Sequence, residues 1–328
     1  MMQELALASF AAVTESHLVA EPRSTRYARF KASFDAAAEL RRLDALGYRF
    51  LARSDAAFPP LLRAIHDPPP GLFLRGVGAV ELMSKQAVAV VGARACSPYG
   101  RQVARRLGRE LAAAGLVVVS GLARGVDGEA HRGALEAGGL TIAVLGCGID
   151  RDYPSAHRSL AREIAETGVI VSEYAPGIEP APWRFPARNR IVAGLCAATL
   201  VVEARERSGA LITADLALEE GREVFAVPGE ITSTLSVGSN ALLRLGATPC
   251  TGSVDVLESY GLSPLEEPVL ELGDGAAVVL ERVREAATSA DELARATGLG
   301  AGELAGVLTE LELAGAVTVE EGIVRASR

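Results

Sequence analysis

Residues 87–146 alternate short apolar runs with amphipathic stretches, in the sequence AVAVVGARACSPYGRQVARRLGRELAAAGLVVVSGLARGVDGEAHRGALEAGGLTIAVLG. Three nearly continuous apolar runs, at 87–92, 116–121 and 140–146, are separated by two segments with helical periodicity. Strands that are apolar along their whole length are typical of a parallel sheet covered by helices on both faces. This stretch therefore predicts an α/β fold built on a parallel sheet.

The same alternation continues towards the C-terminus, with further apolar runs at 168–174, 198–204 and 222–229. The part that precedes the sheet has a different character, because it is helical in pattern and ends in the proline-rich stretch FPPLLRAIHDPPPGLFLRG. A second change comes at GLSPLEEPVLELGD, which contains prolines and acids and has little periodicity. We predict a small helical domain over 1–84, the sheet domain over 85–260, a linker over 261–274 and a further domain over 275–328.

The pattern of the last domain, helix, helix, turn, helix and two strands, indicates a winged helix. Ser289 and Glu292 have the spacing of a capping box, and AVTVEEGIVRA has the pattern of a short hairpin. The third helix carries Glu303, Glu310 and Glu312 and no cation. Such a helix would repel the phosphates of a major groove, so we expect this domain to contact protein rather than duplex DNA.

The composition is that of a soluble globular protein, with 328 residues, 49% hydrophobic residues and a net charge of −8. This charge disfavours a uniformly basic surface but allows a local basic groove. The four cysteines lie dozens of residues apart, which favours free thiols and gives no metal-ligand spacing. The N-terminus is a poor signal peptide and the apolar stretches are shorter than a membrane span. We predict a cytoplasmic protein with no membrane, metal or cofactor association.

Ligands of open parallel sheets bind outside the carboxyl ends of the strands, so the loops that follow each strand are the candidate sites. Gly92 and Arg94 follow the first strand, and Ser97-Pro98 is a good start for the next helix. Gly121 and Arg124 follow the second strand. Glycine, arginine and a helix N-terminus together suit a phosphate group.

The stretch 181–210 is basic within a net-acidic protein, with five arginines against two acids. Trp183 and Phe185 lie among these cations, and Ser208 can cap the following helix. Guanidinium groups that bind phosphate, next to rings on which bases stack, are typical of single-stranded nucleic-acid sites. The convergence of several such loops on one sheet edge predicts a site of this kind.

The sequence contains no recognisable catalytic constellation. Asp127, Asp150 and Asp152 have no nucleophile or base at a recognisable spacing, and we interpret His131 and His157 as structural. The first loop is not GxGxxG and the second strand lacks the acid that would hold a ribose, which argues against a dinucleotide site. We therefore predict a binding protein rather than an enzyme.

At these residues the sequence resembles the DprA/Smf family of DNA-processing proteins. The matching stretches follow the family's order over most of the chain: VGARACSPYG, VVVSGLARGVDGEAHRGAL, TIAVLGCGIDRDYPSAHRSLA, SEYAPG, FPARNRIVAGL, VVEARERSGALITADLALEEGREVFAVPG and SNALLRLGA. The resemblance implies an extended Rossmann-like sheet domain, between a small SAM-like helical N-terminal domain and a C-terminal winged helix. It also implies single-stranded DNA binding, homodimerisation through the Rossmann domain, loading of RecA recombinase in natural transformation or repair, and no known catalytic reaction.

Carried over by motif, the resemblance assigns DNA contacts to twelve positions. These are Gly92, Arg94, Ser97, Gly121, Arg124, Phe185, Arg188, Asn189, Arg190, Arg205, Ser208 and Gly209. Two alternative hypotheses remain. One is a nucleotide-processing hydrolase of the lysine decarboxylase-like Rossmann superfamily, whose PGGxGT-type loop is replaced here by SGALIT. The other is a winged-helix regulator of duplex DNA, which the acidic third helix disfavours.

Overall fold

The structure is a computed structural model that describes residues 1–14, 24–264, 273–320 and 322–326. The chain divides into two compact units, Met1–Leu265 and Glu266–Arg328. Each unit has its own sheet and its own hydrophobic core. Residues 265–272 of the predicted linker 261–274 lie outside the described residues.

The larger unit is built around a nine-stranded sheet with the spatial order β1-β2-β6-β5-β4-β3-β7-β8-β9. In chain order the strands are β1 Arg49–Ala52, β2 Gly71–Arg75, β3 Ala87–Val91, β4 Val117–Ser120, β5 Thr141–Leu145, β6 Val169–Ser172, β7 Ala198–Val201, β8 Glu223–Ala226 and β9 Thr248–Pro249. β3 to β9 run in parallel. All six predicted strands are present as β3–β8, so the predicted α/β fold with a parallel sheet is confirmed.

The near-continuous apolar character of these strands follows from burial on both faces. In β3, Ala89 and Val91 pack into one hydrophobic cluster, whereas Val88 and Val90 pack into another on the opposite face. Because successive side chains of a strand point to opposite faces, a strand buried on both sides needs an apolar residue at every position. The two clusters are the layers of core between the sheet and its flanking helices.

The expectation that residues 1–84 are helical is incomplete, because this part also contributes β1 and β2 to the central sheet. β2 pairs antiparallel with β6, placing Phe73 opposite Ser172, and β1 pairs antiparallel with β2. The run Gly71–Arg75 is buried over most of its length and follows three consecutive prolines, which exclude helix. A short run of this kind beside prolines resembles a loop in sequence, and only pairing with β6 makes it a strand.

Twelve helices of the larger unit are described: α1 Met2–Thr14, α2 Thr25–Ser33, α3 Ala36–Ala45, α4 Pro60–Arg63, α5 Ala79–Leu82, α6 Pro98–Ala113, α7 Val126–Glu136, α8 Arg158–Thr167, α9 Arg184–Gly194, α10 Gly209–Glu219, α11 Val237–Arg244 and α12 Ser253–Ser259. The predicted cap of α6 is confirmed, since Ser97 Oγ accepts a hydrogen bond from the Gly100 N–H at 3.0 Å and Pro98 opens the helix. α6 packs closely on α7, where Gly108 and Gly133 leave no room for a Cβ against the facing backbone.

The smaller unit has the predicted winged-helix arrangement. It contains α13 Asp274–Glu285, β10 Thr288–Ser289, α14 Ala290–Thr297, α15 Ala301–Leu313, β11 Val317–Glu320 and β12 Ile323–Ala326. The strands form a three-stranded sheet in the order β10-β12-β11. The predicted capping box is confirmed, because Ser289 Oγ accepts from the Glu292 N–H and the Glu292 carboxylate accepts from the Ser289 N–H. The leucines and valines of α13, α14 and α15 form a separate core.

All four cysteines are free, and three of them are buried. None of the helices in the described ranges combines the length and the apolar character that crossing a bilayer requires.

Candidate nucleic-acid interface

The candidate site lies at the carboxyl edge of the sheet, where the strand order reverses. β3 lies between β4 and β7 in the sheet. The connection after β3 leads to β4 and the connection after β7 leads to β8, so the two connections run in opposite directions along the sheet. Such a reversal opens a crevice at the carboxyl ends of the two strands, and ligands of open α/β sheets bind there. The N-termini of α6, α7, α9 and α10 lie at this edge because each of these helices leads to the start of the next strand.

A cavity of about 160 Å³, here called the first hollow, occupies this crevice. It is lined by Val91, Gly92, Arg94, Gly121, Ala123, Asp127, Phe185, Pro186, Arg188, Asn189, Val192, Ser208, Gly209, Ala210 and Thr213. These residues come from the end of β3, from the loops after β3, β4 and β7, and from α7, α9 and α10. The hollow therefore joins segments that are far apart in the sequence.

Arg188 is a buried cation in the wall of the first hollow, with only 4% of its surface exposed. Its Nη1 donates to the carbonyl oxygens of Gly121, at 2.8 Å, and of Val144. Its Nε lies 3.3 Å from Asn189 Oδ1. In the part of the chain that the structure describes, no carboxylate oxygen lies within 4.0 Å of this guanidinium. Burial lowers the pKa of Arg188, and the nearby Asp127 carboxylate opposes this lowering without forming an ion pair with the guanidinium.

Asp127 is the buried acid of the same wall, and the backbone engages its carboxylate. Asp127 Oδ2 accepts hydrogen bonds from the N–H groups of Gly121 and Ala123, each at 3.2 Å. Burial raises the pKa of Asp127, and the nearby Arg188 charge opposes this rise. The carboxylate thus shapes the loop after β4 and keeps the Gly121 carbonyl in reach of Arg188.

The N-terminus of α10 forms the opposite wall of the first hollow. Ser208 caps the helix through its Oγ, which accepts from the Ala210 N–H at 3.3 Å. Asn189 Nδ2 donates to the Gly209 carbonyl at 3.1 Å and connects α9 with α10. A Cβ at Gly209 would meet no other atom within 4 Å, so the space beside this first helical residue is open. The Ala210 N–H is bonded to Ser208 Oγ and the Leu211 N–H to the Ser208 carbonyl, so this wall contributes chiefly the positive end of the α10 dipole.

Two glycines allow the loops to approach closely at the base of the first hollow. A Cβ at Gly92 would overlap Val126 at the start of α7. A Cβ at Gly121 would overlap the guanidinium of Arg188. Both predicted glycines therefore have a role in the geometry, because a larger residue would displace α7 or the buried cation.

Ser97 is engaged inside the protein and does not line the hollow. Its N–H and its Oγ donate to the two carboxylate oxygens of Glu203, at 2.9 and 2.6 Å. Glu203 lies two residues after β7 with 4% exposure, and its carboxylate leaves no room for a Cβ at Gly100. Glu203 joins the loop after β3 to the loop after β7. No role was predicted for Glu203, although a carboxylate this close to the carboxyl end of a predicted strand was a usable signal.

A second hollow of about 290 Å³ adjoins the first and shares five of its residues. It is lined by Arg94, Gly121, Ala123, Arg124, Tyr153, Pro154, Ser155, Phe185 and Arg188. The Arg94 guanidinium lies over the Phe185 ring, with Cζ 5.3 Å from the ring centroid. The ring of Tyr153 stacks on Phe185 at a centroid distance of 5.3 Å and an interplanar angle of 29°. Tyr153 was missed by the sequence analysis, because its contact with Phe185 is purely tertiary.

Arg190 is not placed as the sequence analysis predicted. Its guanidinium forms ion pairs with the Glu173 carboxylate and, at 3.1 Å, with Asp67 Oδ2. Burial lowers the pKa of Arg190, but the Glu173 carboxylate outweighs burial and holds this pKa above its ordinary value. Arg190 lines neither hollow, so its predicted DNA contact stays a prediction that the pairing of its charge within the protein disfavours. Two carboxylates that are distant in sequence neutralise it.

The twelve predicted positions thus fall into three groups. Eight line the first hollow: Gly92, Arg94, Gly121, Phe185, Arg188, Asn189, Ser208 and Gly209. Arg124 is exposed and lines only the second hollow. Ser97, Arg190 and Arg205 line neither of them, and Arg205 is exposed on the loop after β7. No group of three or more His, Cys, Asp or Glu residues within the described ranges is placed to hold a metal ion.

Comparison with known proteins agrees with this architecture. The family model described as DNA recombination-mediator protein A matches residues 49–261, and the model of the DprA winged helix domain matches residues 263–322. The chain is 46% identical to the DNA processing protein DprA of Streptococcus pneumoniae over 206 residues, which are 63% of this chain and 72% of that protein. It is 40% identical to Protein Smf of Escherichia coli over 288 residues, 83% of this chain and 75% of that protein.

Two solved structures extend the comparison. DprA of Streptococcus pneumoniae superposes with a TM-score of 0.63 at 38% identity, over 78% of this chain and 93% of that one. DNA processing protein A of Helicobacter pylori, whose structure is described for its single-stranded DNA binding mode, superposes with a TM-score of 0.59 at 32% identity, over 65% of this chain and 95% of that one. The resemblance inferred from the sequence is confirmed, and the chain belongs to the DprA/Smf family of DNA-processing proteins.

Proposed function

We propose that this protein binds unpaired DNA at the carboxyl edge of its sheet, with a backbone phosphate in the first hollow. The observation that carries the proposal is Arg188, a buried guanidinium in the wall of the first hollow that has no carboxylate in ion-pair contact among the described residues. The nearby Asp127 carboxylate acts on it only from beyond 4.0 Å. A buried charge is costly unless an opposite charge accompanies it. A phosphate oxygen beside Arg188 supplies that charge and accepts a charge-assisted hydrogen bond.

The other walls of the first hollow suit the same ligand. The start of α10, at Ser208 and Gly209, places the positive end of the helix dipole beside the open space. Arg94 is exposed at the entrance, where it can bind a neighbouring phosphate. Within the described lining of the two hollows, Asp127 is the one carboxylate, and two backbone amides hold it. These groups contact the phosphate backbone and not the base edges. The affinity for single-stranded DNA should therefore depend strongly on salt concentration and little on base sequence.

The wider role that we propose is that of a recombination mediator. Membership of the DprA/Smf family supports a function in which the protein holds incoming single strands and loads RecA recombinase during natural transformation or repair. The single-stranded DNA binding described for the Helicobacter pylori relative supports the choice of unpaired DNA. In this proposal the protein acts in the cytoplasm. It forms a homodimer through the Rossmann domain, the domain that follows the N-terminal domain 1–84.

We propose that this role involves no catalysis. The competing hypothesis is a nucleotide-processing hydrolase, for which Asp127 is the available acid in the first hollow. Its Oδ2 atom is occupied by the Gly121 and Ala123 amides, which favours a structural role. Incubation with nucleoside monophosphates, followed by chromatography for released base, separates the two hypotheses. Release of base that Asp127→Asn abolishes would support the hydrolase.

For the winged-helix unit we propose a protein partner. Glu303, Glu310 and Glu312 are all exposed on α15, the helix that would enter a major groove. Their charges would repel the phosphates of duplex DNA. A gel shift with the fragment 266–328 and duplex DNA tests this part of the proposal, and tight binding at physiological salt would contradict it.

The central experiment measures fluorescence anisotropy of a labelled oligothymidine, and of a duplex of equal length, over a series of salt concentrations. We expect binding of the oligothymidine that weakens with salt, and a loss of about tenfold or more in Arg94→Ala and Arg188→Met. Arg41→Ala is the matched control, since Arg41 is an exposed arginine of α3 that lines neither hollow. Wild-type affinity in both site variants, with unchanged thermal unfolding, would contradict the proposed site.

A further inference from the structure

Leu122, in the loop after β4, has a backbone conformation that leucine rarely adopts. Its φ of 58° lies in the left-handed region, and no other non-glycine residue in the described part of the chain has a positive φ. Steric crowding at the Cβ disfavours this region, so the conformation persists only where the surrounding structure enforces it. The Leu122 side chain is fully buried in the core beneath the loop. Strained positions of this kind are concentrated at functional sites.

Three side chains from distant parts of the sequence hold the backbone of the segment 121–123. Asp127 accepts hydrogen bonds from the first and third amides of the segment. Arg188 donates to the first carbonyl, and Nδ1 of His157 lies 3.0 Å from the second, which is the Leu122 carbonyl. The loop is therefore fixed from α7, from α9 and from the turn 155–157 that precedes α8.

His157 is built into this arrangement as a hydrogen-bond donor. The residue is 7% exposed, and its ring lies against Gly128, where a Cβ would come within 2.5 Å of the imidazole Cε1. A carbonyl oxygen can only accept, so Nδ1 of His157 carries the proton in the contact with Leu122. The packing against Gly128 and this hydrogen bond together set the orientation of the ring.

We propose that His157 is a positioning residue for DNA binding, which acts on Arg188 through the backbone of Leu122. The Gly121 carbonyl belongs to the peptide on one side of the Leu122 Cα and accepts from Arg188 Nη1 at 2.8 Å. The Leu122 carbonyl belongs to the peptide on the other side and accepts from His157. While both carbonyls are bonded, the dihedral angles of Leu122 cannot relax.

Loss of the His157 donor would release the second of these peptides. Relaxation of Leu122 to a negative φ would then rotate the two peptides relative to each other, and the Gly121 carbonyl would turn away from Arg188. The guanidinium would lose one of the contacts that hold it in the wall of the first hollow. This inference rests on the proposed function, because Arg188 is the group that we propose to bind the phosphate.

The test measures anisotropy of labelled oligothymidine with the full-length protein and its His157 variants. We expect His157→Leu to weaken binding about fivefold, the effect of one hydrogen bond. His157→Asn should restore most of the affinity, because its Nδ2 is as many bonds from Cβ as the imidazole Nδ1 and can donate to Leu122. The control is His131→Leu, since His131 is also buried but bonds to Thr141 and not to the loop. This variant should lose stability and keep its affinity within about twofold of wild type.

A purely structural role of His157 predicts a different result. If His157 acts through Arg188, the fivefold loss should disappear when His157→Leu is combined with Arg188→Met. Titrations at low salt keep the weak binding of this double variant measurable. The same loss in the presence and absence of Arg188, or equal losses in His157→Leu and His131→Leu, would overturn the inference.

The wild-type protein gives a second readout that does not depend on a variant that folds. Long-range ¹H–¹⁵N correlation spectra of protein labelled at histidine distinguish the ring tautomers, and we expect the proton of His157 on Nδ1. A proton on Nε2 alone would reject the contact with Leu122 and the inference with it. Failure of the wild-type protein to bind oligothymidine would reject the proposed function itself, whereas wild-type affinity in His157→Leu would reject only the role of His157.

Discussion

Ser97 Oγ donates a hydrogen bond of 2.6 Å to the carboxylate of Glu203, and this contact joins the two loops that flank the switch point of the sheet. The Ser97 N–H donates to the other oxygen of the same carboxylate at 2.9 Å. Ser97 also caps α6, whereas Glu203 lies two residues after β7, in the loop that leads to Ser208. The contact thereby holds the Arg94 loop at a fixed position relative to the α10 N-terminus.

Glu203→Ala should therefore lower both stability and DNA affinity. Removal of the carboxylate leaves the Ser97 N–H without its partner, at a cost of about 1–3 kcal/mol in the free energy of unfolding. Denaturant unfolding of Glu203→Ala, Ser97→Ala and the double variant measures the coupling, which should be about 0.5–3 kcal/mol for residues in direct contact. Additive losses would show that the two residues act independently.

Arg94→Ala should change the salt dependence of binding as well as its strength. A contact between one arginine and one phosphate of a single strand contributes about 0.7 to the slope of log K against log salt. We expect the slope to become shallower by about this amount, because Arg94 is exposed and can contact phosphate directly. Anisotropy titrations at several salt concentrations measure the slope. A parallel shift with no change in slope would mean that Arg94 acts through Phe185 alone.

Arg190→Ala should affect stability far more than DNA binding. The Arg190 guanidinium is paired with Glu173, whose side chain is 6% exposed, and with Asp67. Removing one partner of a buried ion pair costs about 3–5 kcal/mol, because the remaining carboxylate is left uncompensated. Thermal unfolding measures this loss, and anisotropy at a temperature where the variant is folded should give nearly wild-type affinity. A stable variant with strongly reduced affinity would support the DNA contact predicted for Arg190.

The difference between Arg188 and Arg190 could not be predicted from the sequence, because it depends on tertiary contacts. Both belong to the stretch FPARNR, and there were equal grounds in the sequence for predicting that each binds a phosphate. Only Arg190 forms ion pairs among the described residues, and its partners Glu173 and Asp67 lie 17 and 123 residues away in the sequence. These contacts exist only in the folded chain, so the sequence does not reveal them. By contrast, the cap at Ser97 and the strand at 87–91 were predictable, because each depends on residues close in sequence. Tyr153 escaped prediction for the same reason as the partners of Arg190.

The buried His131 should make the protein less stable in mild acid. The Thr141 hydroxyl donates its one proton to the Val118 carbonyl, so Nδ1 of His131 must donate to Thr141 Oγ1, at 2.6 Å. A second proton would have to go to Nε2, which is buried and has no partner among the described residues. Burial lowers the pKa of His131 to about 3 from its ordinary value of 6.5.

The direction of the effect follows from this lowered pKa. The unfolded chain binds a proton at His131 below about pH 6.5, whereas the folded chain does so only near pH 3. The free energy of unfolding is therefore highest above pH 6.5 and falls as the pH drops below this value. Between pH 7 and pH 5 the loss is about 2 kcal/mol. Denaturant unfolding at the two pH values measures it, and His131→Gln should lack this part of the loss. An identical pH dependence in the variant would show that other groups cause it.

Gly209→Asp should separate folding from DNA binding. The position is the first residue of α10, has open space around it and lines the first hollow. An acid in the first turn interacts favourably with the helix dipole, so the free energy of unfolding should be unchanged or slightly higher. The same charge stands where the proposed phosphate binds, and repulsion should weaken binding of oligothymidine about tenfold or more. Gly209→Ser adds a side chain without charge, and this variant should bind oligothymidine more tightly than Gly209→Asp. Equal losses of affinity in the two variants would show that side-chain volume, and not charge, causes the effect.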